Sequence, residues 1–263
     1  MKKQETERRS FIKLTAAGLS NLVIPGVSGS NKDSIRLSKI EHIERKMQIV
    51  CIGAHPGDPE FGCGGTMAKY SDAGHAVTFL YLTRGEASDS TKTHEEMANL
   101  RSLEASDSCK ILNATPVFAG QLDGNTELNK TQNEKMTKII FDLKPDIVFA
   151  QWPVDAHPDH QVKGLLSLTS WVKSNRRFHL YFYEVNTGSE TMSFTPTDYV
   201  DITAVRERKK LAMFAHKTQN PIETYNDYFK PLEEFRGLEA GVKVAEGFIH
   251  FKASGERSSI IGL

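Results

Sequence analysis

Little in this chain could hold it together other than a packed core. It has only three cysteines, Cys51, Cys63 and Cys109, among 263 residues. Their spacing fits neither a disulfide framework nor a structural zinc pattern, so each is read as a small buried hydrophobe. An excess of one charge is also missing. Lysine plus arginine and aspartate plus glutamate each number 33. With no long basic run, there is no case for a nucleic-acid groove. No apolar run is long enough for a stable membrane span. Internal repeats and a break in composition are absent too, which removes the reasons to divide the chain into several folded domains. What remains is 39% hydrophobic residues, enough for one sizeable core.

The first thirty residues read differently from the rest. Glu7-Arg8-Arg9-Ser10-Phe11-Ile12-Lys13 precedes a modestly apolar run from Leu14 to Val27, interrupted by Ser20, Asn21 and Pro25. A paired-arginine leader of this kind resembles a twin-arginine export signal. The expected organisation is a signal peptide over 1–30 and one α/β domain over 31–263. The implied location is periplasmic or secreted, with the twin-arginine export machinery as a transient partner. Loss of residues 1–30 removes five basic and two acidic side chains, leaving a net charge of −3.

Downstream, apolar runs alternate with amphipathic ones. Strands are predicted over 48–53, 76–83, 116–119, 146–151, 178–185 and 198–202, with a further short apolar stretch over 245–251. Helices are predicted over 93–110, 132–143, 160–172 and 205–214. A shorter helix is expected to open at Gly64-Gly65-Thr66, and Met97, Leu100, Leu103 and Ala105 are assigned to the buried stripe of the 93–110 helix. Runs such as Ala76–Thr83 (AVTFLYLT) have no polar face and suit a sheet covered on both sides. The pattern predicts a three-layer α/β/α domain around a Rossmann-like, mainly parallel sheet.

Two strand ends carry the chemistry. Ile49 to Thr66 reads IVCIGAHPGDPEFGCGGT, an apolar run that breaks into a loop with His55, Asp58 and Glu60. About a hundred residues later DIVFAQ runs into Trp152-Pro-Val-Asp155-Ala-His157-Pro-Asp159-His160. Zinc is well served by three His and carboxylate ligands with water in an open position, and His55, Asp58 and His160 supply such a set. His157 can stabilise an oxyanion or protonate a departing amine, its ring held by Asp159 or Asp155. Gly62-Cys63-Gly64-Gly65 lacks the dinucleotide fingerprint, which sets a nucleotide site aside.

Together AHPGDPEFGCGGT, LTRGE, Arg101-x-x-Glu104, WPVDAHPDH and AHKTQ resemble the PIG-L/LmbE family of zinc-dependent N-acetylglucosaminyl deacetylases. The likeness runs from about Gln48 to Phe248. It implies Zn²⁺ on His55, Asp58 and His160, with Fe²⁺ or Co²⁺ also compatible with such a site. It further implies a small amino sugar or glycoconjugate as substrate, His157 as the second active-site histidine, Asp159 as its supporting carboxylate and Arg101 as a substrate contact, a structural ion pair of Arg101 with Glu104 being the equal alternative. Arg84 and Trp152 are further candidate substrate contacts, at the sheet edge and by ring stacking, with a charged surface turn and a cap on the core as their equal alternatives. His216, Thr218 and Gln219 match the family's H-x-S-Q segment with Thr for Ser, and a structural network at a helix end is expected of them.

One departure from the family matters. The family loop is His-Pro-Asp-Asp, whose first Asp is the general base, and here that residue is Gly57. The base then comes from elsewhere, with Glu60, Asp155 and Asp159 as candidates, or His157 acts without one. The alternative is a sugar-binding homologue with weakened or lost catalysis.

Overall fold

A computed structural model describes residues 45–252. The expected leader over 1–30 lies outside the described residues. Seven strands form one sheet: β1 (Gln48–Gly53), β2 (Ala76–Tyr81), β3 (Ala114–Phe118), β4 (Ile147–Gln151), β5 (His179–Tyr183), β6 (Asp198–Asp201) and β7 (Ala245–Phe251). Their order is β3-β2-β1-β4-β5-β7-β6. Pairings among β1 to β5 are parallel, and β7 joins antiparallel to both β5 and β6.

The central strands are buried on both faces, and their alternate residues divide into two cores. Ile49, Cys51, Phe79, Phe149 and Tyr181 face one layer, which holds α1 (Asp58–Asp72), α2 (His94–Leu112) and α5 (Arg206–Phe214). Val50, Ile52, Leu80, Val148 and Leu180 face the other, which holds α3 (Lys130–Leu143) and α4 (Pro158–Lys173). The expected three-layer α/β/α architecture is therefore present, and the runs without a polar face are the strands clad on both sides.

Three local expectations change. Helix α1 starts at Asp58, directly after the ligand loop, and not at Gly64. Gly62 faces the sheet: a Cβ there would lie 2.4 Å from the Tyr183 ring and 2.6 Å from the Glu184 carbonyl oxygen. The helix needs glycine there because the sheet comes that close, so glycine does not mark its start. On α2, Leu103 is 65% exposed, while Arg101 and Glu104 lie inside. The inward stripe keeps Met97 and Ala105 but adds Arg101 and Glu104, which bond to the loops at the sheet's carboxyl edge. The tail also contains helices, a four-residue α6 (Pro221–Thr224), a π turn over Tyr225–Phe229, and α7 (Lys230–Ala240) with proline in its first turn. Proline is well accommodated in that turn, where its missing N–H would have had no helical partner.

Strand order decides where a site can form. Chain order reverses between β1 and β4, which lie side by side with Ile52 opposite Ala150. In open α/β sheets the crevice for a ligand lies outside the carboxyl ends of the strands at this switch point.

Candidate metal centre

The loops after β1 and β4 meet at that crevice. Asp58 Oδ2 accepts the His55 backbone N–H at 2.8 Å, which folds the HPGD turn back on itself. The same oxygen lies 3.4 Å from His55 Nδ1 and 3.5 Å from His160 Nε2. One ligand atom from each of His55, Asp58 and His160 falls within 4.8 Å of the others. The two turns are locked together where Gln151 Oε1 accepts the Ala54 N–H at 2.9 Å.

Each histidine is held from behind by a carboxylate. Asp155 Oδ1 lies 3.1 Å from His160 Nδ1, and it also accepts the His157 N–H at 2.9 Å. His55 Nε2 lies 2.9 Å from Asp123 Oδ1 and 3.1 Å from Asp159 Oδ2. Such partners fix the tautomer and leave one nitrogen of each ring for a cation. Burial opposes a charged His55, but hydrogen bonds to Asp123, Asp159 and Asp58 outweigh it and hold its pKa well above the usual value. Burial works against ionised Asp58 as well; His160 and His55 overcome it and keep the carboxyl far below the ordinary range. Two histidines and an anionic carboxylate with oriented rings form a donor set that suits a divalent cation.

His157 caps the amino terminus of α4, its Nδ1 accepting the Asp159 N–H at 3.2 Å. Neutral His157 therefore carries its proton on Nε2. Its ring stacks on His160 at 4.6 Å between centroids. Burial, then the charges of His55 and His160, lower its pKa. The cavity over these groups measures about 340 Å³ and includes Phe61, Arg101, Asp123, Glu190 and Gln219 in its lining.

The PIG-L family model, described as GlcNAc-PI de-N-acetylase, matches residues 50–169. The diacetylchitobiose deacetylase of Thermococcus kodakarensis is 30% identical over 219 residues, 76% of this chain and 81% of that protein. The chain belongs to the PIG-L deacetylase family. The N,N'-diacetylchitobiose deacetylase of Pyrococcus horikoshii superposes with a TM-score of 0.68 at 27% identity, over 77% of this chain and 83% of that one. The 4-carboxy-2-hydroxymuconate hydratase GalB of Pseudomonas putida shares the fold with a TM-score of 0.71 at 20% identity, over 81% and 100% of the two chains.

Several residues of this PIG-L protein sit in roles other than those its sequence suggests. Glu60 is wholly buried: Oε1 accepts from Tyr81 Oη at 2.6 Å and lies 3.1 Å from His216 Nε2, while Oε2 accepts the Gly57 N–H at 3.2 Å. It caps α1 and does not line the cavity. Asp155 is committed behind His160. Asp159 holds His157 only through its backbone N–H; its carboxylate supports His55 and also accepts from the Gly124 N–H at 2.9 Å and Thr126 Oγ1 at 2.6 Å, pinning the 121–129 loop. Arg84 turns to α2, donating to Ser102 Oγ at 2.8 Å and Asn99 Oδ1 at 2.9 Å, and so leaves the cavity. Trp152 donates to the Met192 carbonyl at 3.1 Å and packs edge-on against Phe182 and Phe194, a core-capping role in place of sugar stacking.

Arg101 does reach the cavity. It donates to the Pro56 carbonyl at 2.7 Å and the Gly85 carbonyl at 3.2 Å, and its Nε makes no hydrogen bond among the described residues. It is not paired with Glu104, whose carboxylate accepts from the Thr218 N–H and Oγ1 at 2.9 and 2.7 Å.

Two carboxylates of the cavity, Asp123 and Glu190, have no motif in the sequence. Asp123 is committed to His55 and to the Ala87 N–H at 3.0 Å, and its pKa is lowered: burial, which would raise it, is outweighed by His55. Glu190 accepts one hydrogen bond, from Asn186 Nδ2 at 2.9 Å, and burial raises its pKa. Both lie on loops that follow a parallel strand, β3 or β5, and that position was the available signal.

Proposed function

We propose that this PIG-L protein hydrolyses the N-acetyl or a related N-acyl amide of an N-acetylglucosamine-type amino sugar or glycoconjugate. Zn²⁺ is the preferred cation, with Fe²⁺ and Co²⁺ as alternatives. The observation that carries this reading is the convergence of His55 Nδ1, Asp58 Oδ2 and His160 Nε2 at one cavity, with a carboxylate behind each histidine. Two relatives named for diacetylchitobiose deacetylation support the substrate class.

A divalent cation on these three residues supplies Lewis acidity that polarises an acyl carbonyl and makes water more acidic. The remaining steps belong to the chain. His157, neutral and protonated on Nε2, donates to the carbonyl oxygen as negative charge develops on it. The attacking water forms the new C–O bond and gives a proton to the Glu190 carboxylate, which is the least committed in the cavity. That proton passes to the amide nitrogen as the C–N bond breaks, leaving a carboxylic acid and an amine. Arg101 presents its buried guanidinium to substrate oxygens.

Gly57 motivates a second reading, a sugar-binding homologue that retains the cation but not turnover. The test is amine release from a panel of N-acetylated amino sugars, with zinc content measured in the same preparation. Zinc-dependent release, lowered about 10²–10⁴-fold in Glu190→Gln with zinc stoichiometry unchanged, supports hydrolysis with Glu190 as proton acceptor. One bound zinc with no release across the panel favours the binding reading.

Export by the twin-arginine route remains part of the same proposal, on the strength of the Arg8-Arg9 leader. In cell fractionation, Arg8→Lys with Arg9→Lys should retain the protein inside; unchanged export would overturn that route.

A further inference from the structure

The space left open by Gly57 is filled from elsewhere in the chain. Gly57 adopts φ +108°, and a Cβ built there would lie 2.7 Å from Gln219 Nε2 and 3.2 Å from Gln219 Oε1. The carboxamide of Gln219 therefore stands where an acidic side chain on residue 57 would begin. It lines the cavity with His55, Asp58, His157 and His160.

Its mounting is rigid and oriented. Gln219 ends the short 3₁₀ turn Lys217–Gln219, and its N–H bonds to the His216 carbonyl at 3.0 Å. Thr218 is clamped to Glu104, and His216 Nε2 lies against Glu60. The atom facing the Pro56 carbonyl at 2.6 Å is the amide nitrogen, because a carbonyl oxygen only accepts. One amide N–H is thus spent on the ligand loop, while Oε1 accepts no hydrogen bond among the described residues and is free to act as an acceptor.

We propose that the Gln219 carboxamide replaces the side chain that Gly57 lacks, offering the cavity a neutral hydrogen-bond acceptor at Oε1 that orients the attacking water and takes no proton. The identity of that water rests on the amide-hydrolase reading; the acceptor itself does not. A neutral acceptor here explains how a loop without the family's base still organises its nucleophile, while the proton leaves by another carboxylate.

The test uses two small probes on zinc-loaded full-length protein. Acetohydroxamate carries an N–H donor, and acetate carries none. Gln219→Met keeps the bulk of the side chain and removes its acceptor. The expected result is acetohydroxamate binding weakened about two- to tenfold, the worth of one hydrogen bond, with acetate binding and zinc affinity by chelator competition unchanged. Gln219→Glu should match wild type only at low pH, where a protonated carboxyl can donate to Pro56. Equal losses for both probes, or a loss explained by weaker zinc binding, would reduce Gln219 to a clamp on the ligand loop and overturn the assignment. Unchanged acetohydroxamate binding would overturn it as well. Because neither probe is turned over, failure of the deacetylase reading shows separately, as zinc-loaded wild type that releases no amine.

Discussion

At the scale of single residues, Gly57 has two constraints that sequence comparison alone does not reveal. Its φ of +108° lies where L side chains rarely sit, and Gln219 fills the adjoining space. Gly57→Asp is therefore expected to destabilise the fold by about 1–3 kcal/mol and to leave turnover no higher than wild type. Denaturant unfolding and the amine-release assay read the two effects separately, and a faster, equally stable variant would contradict this account. Restoring the family's residue does not restore its chemistry unless the backbone and the placement of the Gln219 carboxamide also change.

The elements that carry the site contain an uncompensated group. Lys163, on α4 one turn beyond His160, is wholly buried; its Nζ makes no hydrogen bond among the described residues and lies 5.5 Å from the centroid of the Tyr183 ring. Burial pushes its pKa well below the usual lysine value, against the attraction of Asp58 and Asp155. A lysine that folds as the neutral amine must shed a proton which the unfolded chain keeps until its ordinary pKa. Its stability penalty is thus present below that value and relieved as pH rises towards it. Lys163→Met is expected to stabilise the protein by about 1–3 kcal/mol at neutral pH, with the gain shrinking as pH approaches 10. Thermal or denaturant melts at pH 7 and pH 10 would show this, and destabilisation at pH 7 would mean that the amine is satisfied by a partner. Lys209, buried as deeply, is matched: its Nζ lies 2.9 Å from Glu233 and 2.8 Å from Glu246.

For the molecule as a whole, folding and cation uptake are linked through protons. The fold brings His55 against Asp123, Asp159 and Asp58, and these hold its pKa well above 6.5. Below that raised value the cation-free protein carries a proton on His55 that a cation must displace. Zinc affinity should therefore fall about tenfold for each unit the pH drops below the folded pKa of His55, with proton release on binding. Calorimetry in buffers of different ionisation enthalpy measures that release; none at pH 6 would show that His55 is already neutral. Among the described residues no helix is long and apolar enough to cross a membrane.

What the sequence determined by itself was whatever depends on neighbours in the chain. The apolar runs with no polar face fixed the parallel strands and the layers on both sides of them. The HPGD and HPDH turns, each directly after a strand, placed His55, Asp58, His157 and His160 at one sheet edge. Tertiary structure decided the rest, because those contacts join residues far apart in sequence. Gly62 belongs to the middle of a helix because Tyr183 leaves no room for a Cβ. Asp159 turns to His55, and Asp155 to His160, since two separate loops share one crevice. Asp123 and Glu190 enter the cavity from loops without a motif, after β3 and β5. Gln219 reaches the space beside Gly57 from 162 positions away, a proximity that no local pattern encodes.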